Sequence, residues 1–153
     1  MGNKPSPSRG AAPSLSEPRV RELFDRYLQA WNEHDGPTVA GYMAEDAVYE
    51  DVAAGQVRRG REEIAGWVAE GAGFSSDLRF EEVSFFYLGS AYAVEWLMTG
   101  TNDGPVGGQP ATGRPYRVRG ASVGTLNSEG LIAANRDYWN MAEVLAQIGF
   151  TPG

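Results

Sequence analysis

Asp77-Leu78-Arg79-Phe80-Glu81-Glu82-Val83-Ser84-Phe85-Phe86-Tyr87-Leu88 is the stretch on which the reading of the fold turns. Upstream of it, apolar residues recur at helical spacing. From Asp77 onward they alternate, which is the two-residue period of a strand with one buried face. Leu78 and Phe80 share one face, but Val83, Phe85 and Tyr87 continue the alternation shifted by a residue, so a β-bulge is predicted near Glu81-Glu82. Gly89-Ser90 turns the chain into a second long strand, Ala91 to Thr101, and Asn102 to Gly113 is a Gly/Pro loop. Arg114 to Leu126 and Leu131 to Trp139 follow as strands joined by a turn at Asn127 to Gly130.

Ahead of these strands lie helices. Val20, Leu23, Phe24, Tyr27, Leu28 and Trp31 form one apolar stripe, with Ser16 placed to cap the start, Pro18 in the first turn and Gly36-Pro37 as the stop. A short helix is predicted over Pro37 to Met43, then a brief strand over Ala47 to Asp51 and a loop containing Gly and Arg. A helix from Arg61 to Gly71 places Ile64, Trp67 and Val68 on one face, and Glu62 and Glu63 suit its positive N-terminal end. After the last strand, Met141, Val144, Leu145 and Ile148 mark a terminal helix. Helices followed by a run of strands indicate an α+β fold. Long, bulged, Gly-rich strands favour a curved antiparallel sheet wrapped around the N-terminal helices, with a cavity at its mouth.

A chain of 153 residues has room for one domain, which buries roughly two thirds of its unfolded surface. The net charge of −7 disfavours nucleic acid and anionic membrane as partners. With no cysteine there are no disulfides or thiolate ligands, and the single histidine, His34, excludes a multi-histidine zinc or iron site; no metal is expected. His34 reads as an exposed residue at a helix end, favoured by the negative terminus. Residues 1–15 carry Pro5, Pro7 and Pro13 among Ser, Gly, Lys4 and Arg9 and lack a signal peptide's apolar stretch. They are expected to be a disordered leader to a domain over 16–153, in a cytoplasmic protein.

Several segments, taken in order, resemble the SnoaL-like polyketide cyclase family: Ala44-Glu45-Asp46-Ala47-Val48-Tyr49-Glu50-Asp51, Gly60-Arg61-Glu62-Glu63-Ile64, Gly100-Thr101-Asn102-Asp103-Gly104, Ala111-Thr112-Gly113-Arg114, and Arg136-Asp137-Tyr138-Trp139-Asn140 followed by Leu145-Ala146-Gln147-Ile148-Gly149. The resemblance implies the cone-shaped fold shared with nuclear transport factor 2 and ketosteroid isomerase. It also implies cofactor-independent ring closure by intramolecular aldol condensation, with Asp137 as the catalytic acid/base. Ser122 falls about where the SnoaL cyclase has an assisting histidine. The chain also resembles limonene-1,2-epoxide hydrolase: Tyr49 and Asp51 fall where that enzyme has a Tyr and an Asn that position water. Its Arg-x-Asp pair is replaced here by Glu95-Trp96-Leu97-Met98.

Asp137 stands in an apolar strand, and alternation puts it on one face with Asn135 and Trp139, opposite Arg136 and Tyr138. If that face lines a cavity, desolvation raises the pKa of Asp137 toward that of a useful general acid/base; a salt bridge to Arg117 or Arg119 would instead keep it inert. Val118, Gly120, Ser122 and Gly124 share a face of the preceding strand, where small side chains leave a void or allow close packing. Tyr49 and Asp51 alternate onto one face, the first as an oxyanion donor or a core residue, the second as a site residue or a loop cap. Trp31 and Trp67 read as cavity walls and core. Glu95 reads as a lining residue opposite Asp137 or an ion-pair partner at a dimer interface. The apolar face of Val94, Trp96 and Met98 opposite Glu95 suggests a homodimer through the sheet. Gly120-Ala121-Ser122-Val123-Gly124 is not a nucleophile elbow, because a strand continues through it and no histidine follows the serine. Gly104 to Gly108 lacks a following Lys-Ser/Thr and is not a phosphate loop.

Three readings follow. The first is an acid/base enzyme, a cyclase or isomerase, acting on a hydrophobic carbonyl substrate through Asp137, Tyr49 and Asp51, with Trp31, Trp67, Glu95, Ser122 and Trp139 against the substrate and no cofactor. The second is an epoxide hydrolase whose water is held by Tyr49, Asp51 and Asp137. The third is a non-catalytic small-molecule-binding or dimerisation module.

Overall fold

The computed structural model describes residues 15–150, so the predicted leader over residues 1–15 lies outside the described residues except for Leu15, as do residues 151–153. The elements are α1 (Glu17–Asn32), α2 (Gly36–Gly41), β1 (Met43–Asp51), β2 (Gln56–Arg59), α3 (Gly60–Phe74), β3 (Arg79–Leu88), β4 (Ala91–Thr101), β5 (Pro115–Leu126), β6 (Ile132–Trp139) and α4 (Met141–Ile148). This is an α+β fold in which one curved, open sheet of order β2-β1-β6-β5-β4-β3 packs against the helices. No helix among the described residues is long and apolar enough to cross a membrane.

The β3–β6 meander forms as its alternation requires. The predicted bulge is present: Glu82 pairs with Trp96 and Ser84 with Glu95, so Val83 is the extra residue and the face-to-face register shifts there. Three local features differ from the sequence reading. The segment between β1 and α3 includes a short strand, β2, paired antiparallel with β1. β1 starts at Met43, before the predicted Ala47, because its first residues reach β6. The Ser16 hydroxyl makes no capping bond, and α1 begins instead on the Ser16 carbonyl, which accepts from Val20 N–H at 3.1 Å.

The pairing that matters most for the site joins β1 to β6 in parallel, with Tyr49 opposite Asn135 and Asp51 opposite Asp137. All other strand pairs are antiparallel. One apolar cluster, containing Val20, Phe24, Trp31, Tyr49, Ile64 and Ile132, fills the space between α1, α3 and the sheet. A second, containing Leu78, Trp96, Tyr116, Val118 and Ile148, lies under α4. A fully buried Val or Ile is worth about 1.5–3 kcal/mol, so these clusters hold α1 and α4 on the sheet. The face of β4 carrying Val94, Trp96 and Met98 turns inward, Trp96 and Met98 into this second cluster and Val94 against it, so it is not a free surface for a second copy. His34 is half-buried, not exposed; it adopts φ +57° and its Nε2 donates to Leu78 O at 2.8 Å, tying the end of α1 to the start of β3.

Candidate active site

Between the two clusters is a cavity of about 40 Å³ lined by Phe24, Tyr27, Trp31, Tyr49, Phe80, Trp96, Ser122, Asn135 and Asp137, with Leu28, Val94 and Glu82 completing the wall. A bound water needs roughly 10–15 Å³ of such space, so the cavity holds only a few waters. Beside it, Arg21 of α1 forms a paired hydrogen-bonded bridge to the lining residue Glu82 at 2.9 and 3.0 Å and lies 4.9 Å over the Phe85 ring.

The lining forms a circuit. Tyr49 and Trp31 are in ring contact at 6.0 Å, Trp31 and Phe80 at 5.6 Å, and Phe80 and Trp96 at 5.2 Å. Hydrogen bonds then close the loop: Trp96 Nε1–H donates to Ser122 Oγ at 2.9 Å, Ser122 donates to Asp137 Oδ1 at 2.5 Å, and Tyr49 O–H donates to Asp137 Oδ2. Asn135 Nδ2 adds a second bond to Asp137 Oδ1 at 2.8 Å and is itself held by Tyr92 O–H, which donates to Asn135 Oδ1 at 2.6 Å.

Asp137 is only 8% exposed. Among the described residues no arginine or lysine pairs with it, so neither Arg117 nor Arg119 neutralises it. Desolvation raises its pKa to about 6; the bonds from Ser122, Tyr49 and Asn135 oppose that rise, and the nearby Asp51 charge adds to it. The Tyr49 hydroxyl is pushed well up, first by burial and then by the Asp137 charge, so it stays protonated and can act only as a neutral donor. Tyr27 is raised by the same two causes.

Of the residues expected from sequence, the cavity brings together Asp137, Tyr49, Ser122 and Trp31. Four others lie elsewhere. Asp51 accepts from Ala54 N–H at 2.8 Å and from Trp139 Nε1–H at 3.0 Å, and so caps the β1–β2 turn. Trp139 is therefore spent on Asp51. Trp67 lies under the Arg58 guanidinium at 4.9 Å, where Arg58 also pairs with Glu70. Glu95 is exposed on the outer face and accepts from the Ser84 hydroxyl at 3.0 Å. Sequence reasoning missed Asn135 and Tyr92 as parts of the site, although alternation already set Asn135 on the Asp137 face. The void expected beside Gly120 and Gly124 is filled, because a Cβ at either glycine would overlap Trp96 or Tyr92, whose rings rest on them. Among the described residues no group of His, Asp and Glu is placed to hold a metal.

A curved, open sheet packed against helices is the ketosteroid isomerase-like fold of small α+β domains. The chain belongs within it to the SnoaL-like domain family, whose model matches residues 24–135. Among solved structures it is similar to TsrD from Streptomyces laurentii (23% identity, 90% of this chain and 99% of that one, TM-score 0.79). It is also similar to IdmH from Streptomyces antibioticus, a proposed polyketide cyclase (22%, 86% and 99%, TM-score 0.74). A third is SalBIII, an epoxide hydrolase/cyclase-like enzyme of pyran ring formation in salinomycin (22%, 84% and 95%, TM-score 0.70). At these identities the likeness is one of fold. The chain matches no curated protein.

Proposed function

We propose that the protein is a cofactor-independent acid/base enzyme of the cyclase type, acting on a hydrophobic carbonyl compound. The observation that carries this reading is the buried Asp137 carboxylate, unpaired with any cation and raised to about 6, at the wall of an aromatic cavity. A base with that pKa is about nine-tenths ionised at neutral pH yet strong enough to take a proton from carbon beside a carbonyl. The electron pair released moves onto the carbonyl oxygen. Tyr49 supports that step: once Asp137 holds the proton, Tyr49 no longer needs to donate to it and can turn its hydrogen to the enolate oxygen. The enolate carbon then attacks a second carbonyl of the same chain, whose π pair moves onto its oxygen; that alkoxide takes the proton back from Asp137, which restores the base, and the aromatic walls favour the folded conformer. A substrate longer than a few atoms enters by separating Arg21 from Glu82.

A second reading, opening of an epoxide by water or by an internal hydroxyl, is favoured by the hydrophilic pair of Tyr49 and Asp137 in a cavity of water size, and by the likeness to SalBIII. Asp51 faces Trp139 and Ala54, so Tyr49 and Asp137 would hold that water without it. We also propose a homodimer, now through the outer face of the sheet, where Phe86 is 61% and Leu88 85% exposed; light scattering giving a monomer mass would contradict it.

Wild type, Asp137→Asn and Tyr49→Phe assayed against a panel of hydrophobic poly-β-ketones and a panel of epoxides test the reading. Turnover of a ketone that falls by about a hundredfold or more in Asp137→Asn, and less in Tyr49→Phe, supports it. Turnover of epoxides alone favours the second reading. Binding without turnover on either panel, unchanged in Asp137→Asn, would reduce the protein to a binding module.

A further inference from the structure

The hydrogens around Asp137 can be assigned from valence alone. An indole N–H has a hydrogen and no lone pair, so Trp96 Nε1, 2.9 Å from Ser122 Oγ, must donate and Ser122 must accept. The single Ser122 hydrogen then points to Asp137 Oδ1, 2.5 Å away. On the other side, the ionised carboxylate can only accept, so Asn135 presents Nδ2 to Asp137 Oδ1 at 2.8 Å; its Oδ1 then faces Tyr92, whose O–H donates to it at 2.6 Å and holds the amide in that orientation. Oδ1 thus receives two hydrogens, filling both of its lone pairs. Oδ2 receives one, from Tyr49, and keeps a lone pair free. Tyr92 and Trp96 cannot drift from these seats, because each ring rests on a glycine, Gly124 and Gly120, where no side chain fits between ring and strand.

We infer that Tyr92 and Trp96 are positioning residues: through Asn135 and Ser122 they fix Oδ1 of Asp137 as a permanent acceptor and leave Oδ2, the oxygen shared with Tyr49, as the atom that gains and loses the proton. The inference rests on reading Asp137 as the site's acid/base and carries it from the residue to one oxygen. The surroundings leave this task to the network. The groups facing Asp137 are Tyr49 and Asp51 from β1, Tyr27 from α1, Tyr92 from β4 and, in the cavity wall, Glu82 from β3; Arg136 acts on Tyr92 from the other face of β6. Among the described residues no arginine or lysine lines the cavity, so uncharged donors alone favour the ionised form there.

The test uses the full chain with ¹³C-labelled aspartate, the Asp137 carboxyl signal being identified by its loss in Asp137→Asn. In wild type it titrates near 6. In Tyr92→Phe and in Trp96→Phe, which keep a ring over each glycine, the midpoint rises by about half a unit to one unit, as the loss of one donor chain to a carboxylate requires. Tyr116→Phe is the control: Tyr116 is buried but does not line the cavity or touch Asp137, and loss of its hydroxyl leaves the midpoint in place. Isotope-edited infrared spectra of the protonated form report the oxygen. With the proton on Oδ2, the C=O bond is at Oδ1 and carries two donors, so its stretch lies low in wild type and moves to higher wavenumber in both variants. Ser122→Ala, which deletes one donor directly, gives the same two shifts should either ring variant fail to fold. A midpoint and a stretch that both stay fixed in Tyr92→Phe or Ser122→Ala overturn the inference. Neither readout needs a substrate. If both move while turnover is the same in Asp137→Asn, the positioning holds and the catalytic reading falls; if neither moves while Asp137→Asn is inactive, the catalytic reading holds and the positioning falls.

Discussion

Asp137→Asn should make the protein more stable at neutral pH while abolishing the chemistry proposed for it. The Asp137 pKa stands at about 6 in the folded chain against 3.8 when unfolded. A carboxyl whose folded pKa is raised contributes stability that is fully present below the unfolded value and is lost as pH rises through the folded one. The gap of about two units corresponds to about 3 kcal/mol, lost between about pH 4 and pH 6 and absent above. Asparagine removes the ionisation and keeps the shape: its oxygen can accept from Ser122 and Asn135, and its amide can donate to the Tyr49 oxygen. Imperfect hydrogen bonds lower the variant's stability at every pH, so it should be about 1–3 kcal/mol more stable than wild type at about pH 8 and equal to it or up to about 2 kcal/mol less stable near pH 4. In a domain of this size each kcal/mol moves Tm by about 2–4 °C, well within the reach of calorimetry. The assay is a Tm series for both proteins across that pH range. A variant less stable at the alkaline end, or a difference that does not change with pH, would refute the argument that burial of this carboxylate is costly.

Two further perturbations probe the cavity. Gly120→Ala places a methyl group into the Trp96 ring, and should cost about 1–3 kcal/mol and shift the Trp emission as Trp96 leaves Ser122; a variant as stable as wild type would mean that the ring does not rest on the glycine. Arg21→Ala removes the bridge to Glu82, and since Arg21 is substantially exposed its effect on stability should stay under about 1 kcal/mol. Stopped-flow fluorescence should then show a hydrophobic ketone or dye entering several-fold faster, and unchanged entry would place the opening elsewhere.

The parts of this molecule that were legible in the sequence are those governed by local periodicity. The stripe of α1, the alternation of β3 to β6, a bulge near Glu81-Glu82 (found one residue on, at Val83) and the shared face of Asn135 and Asp137 all follow from which residues repeat at which spacing. What was hidden depends on pairing between distant segments. Nothing local says that β1 runs parallel beside β6, yet that pairing brings Tyr49 to Asp137 and leaves Asp51 facing Trp139. Likewise Gly120 and Gly124 read as empty space from β5 alone; only the register with β4 shows that Trp96 and Tyr92 occupy it. The apolar run of Val94, Trp96 and Met98 has the composition of an interface, but the direction a strand face points is set by the side of the sheet on which the helices dock.

The most direct test of the central claim, a buried Asp137 serving as a base, follows proton–deuteron exchange at the carbon beside the carbonyl of a hydrophobic ketone in deuterated water. Exchange catalysed by wild type should rise with pH, level off above a midpoint near 6, and vanish in Asp137→Asn. Exchange that is equal in the two proteins, or that shows no midpoint in this range, would contradict the account.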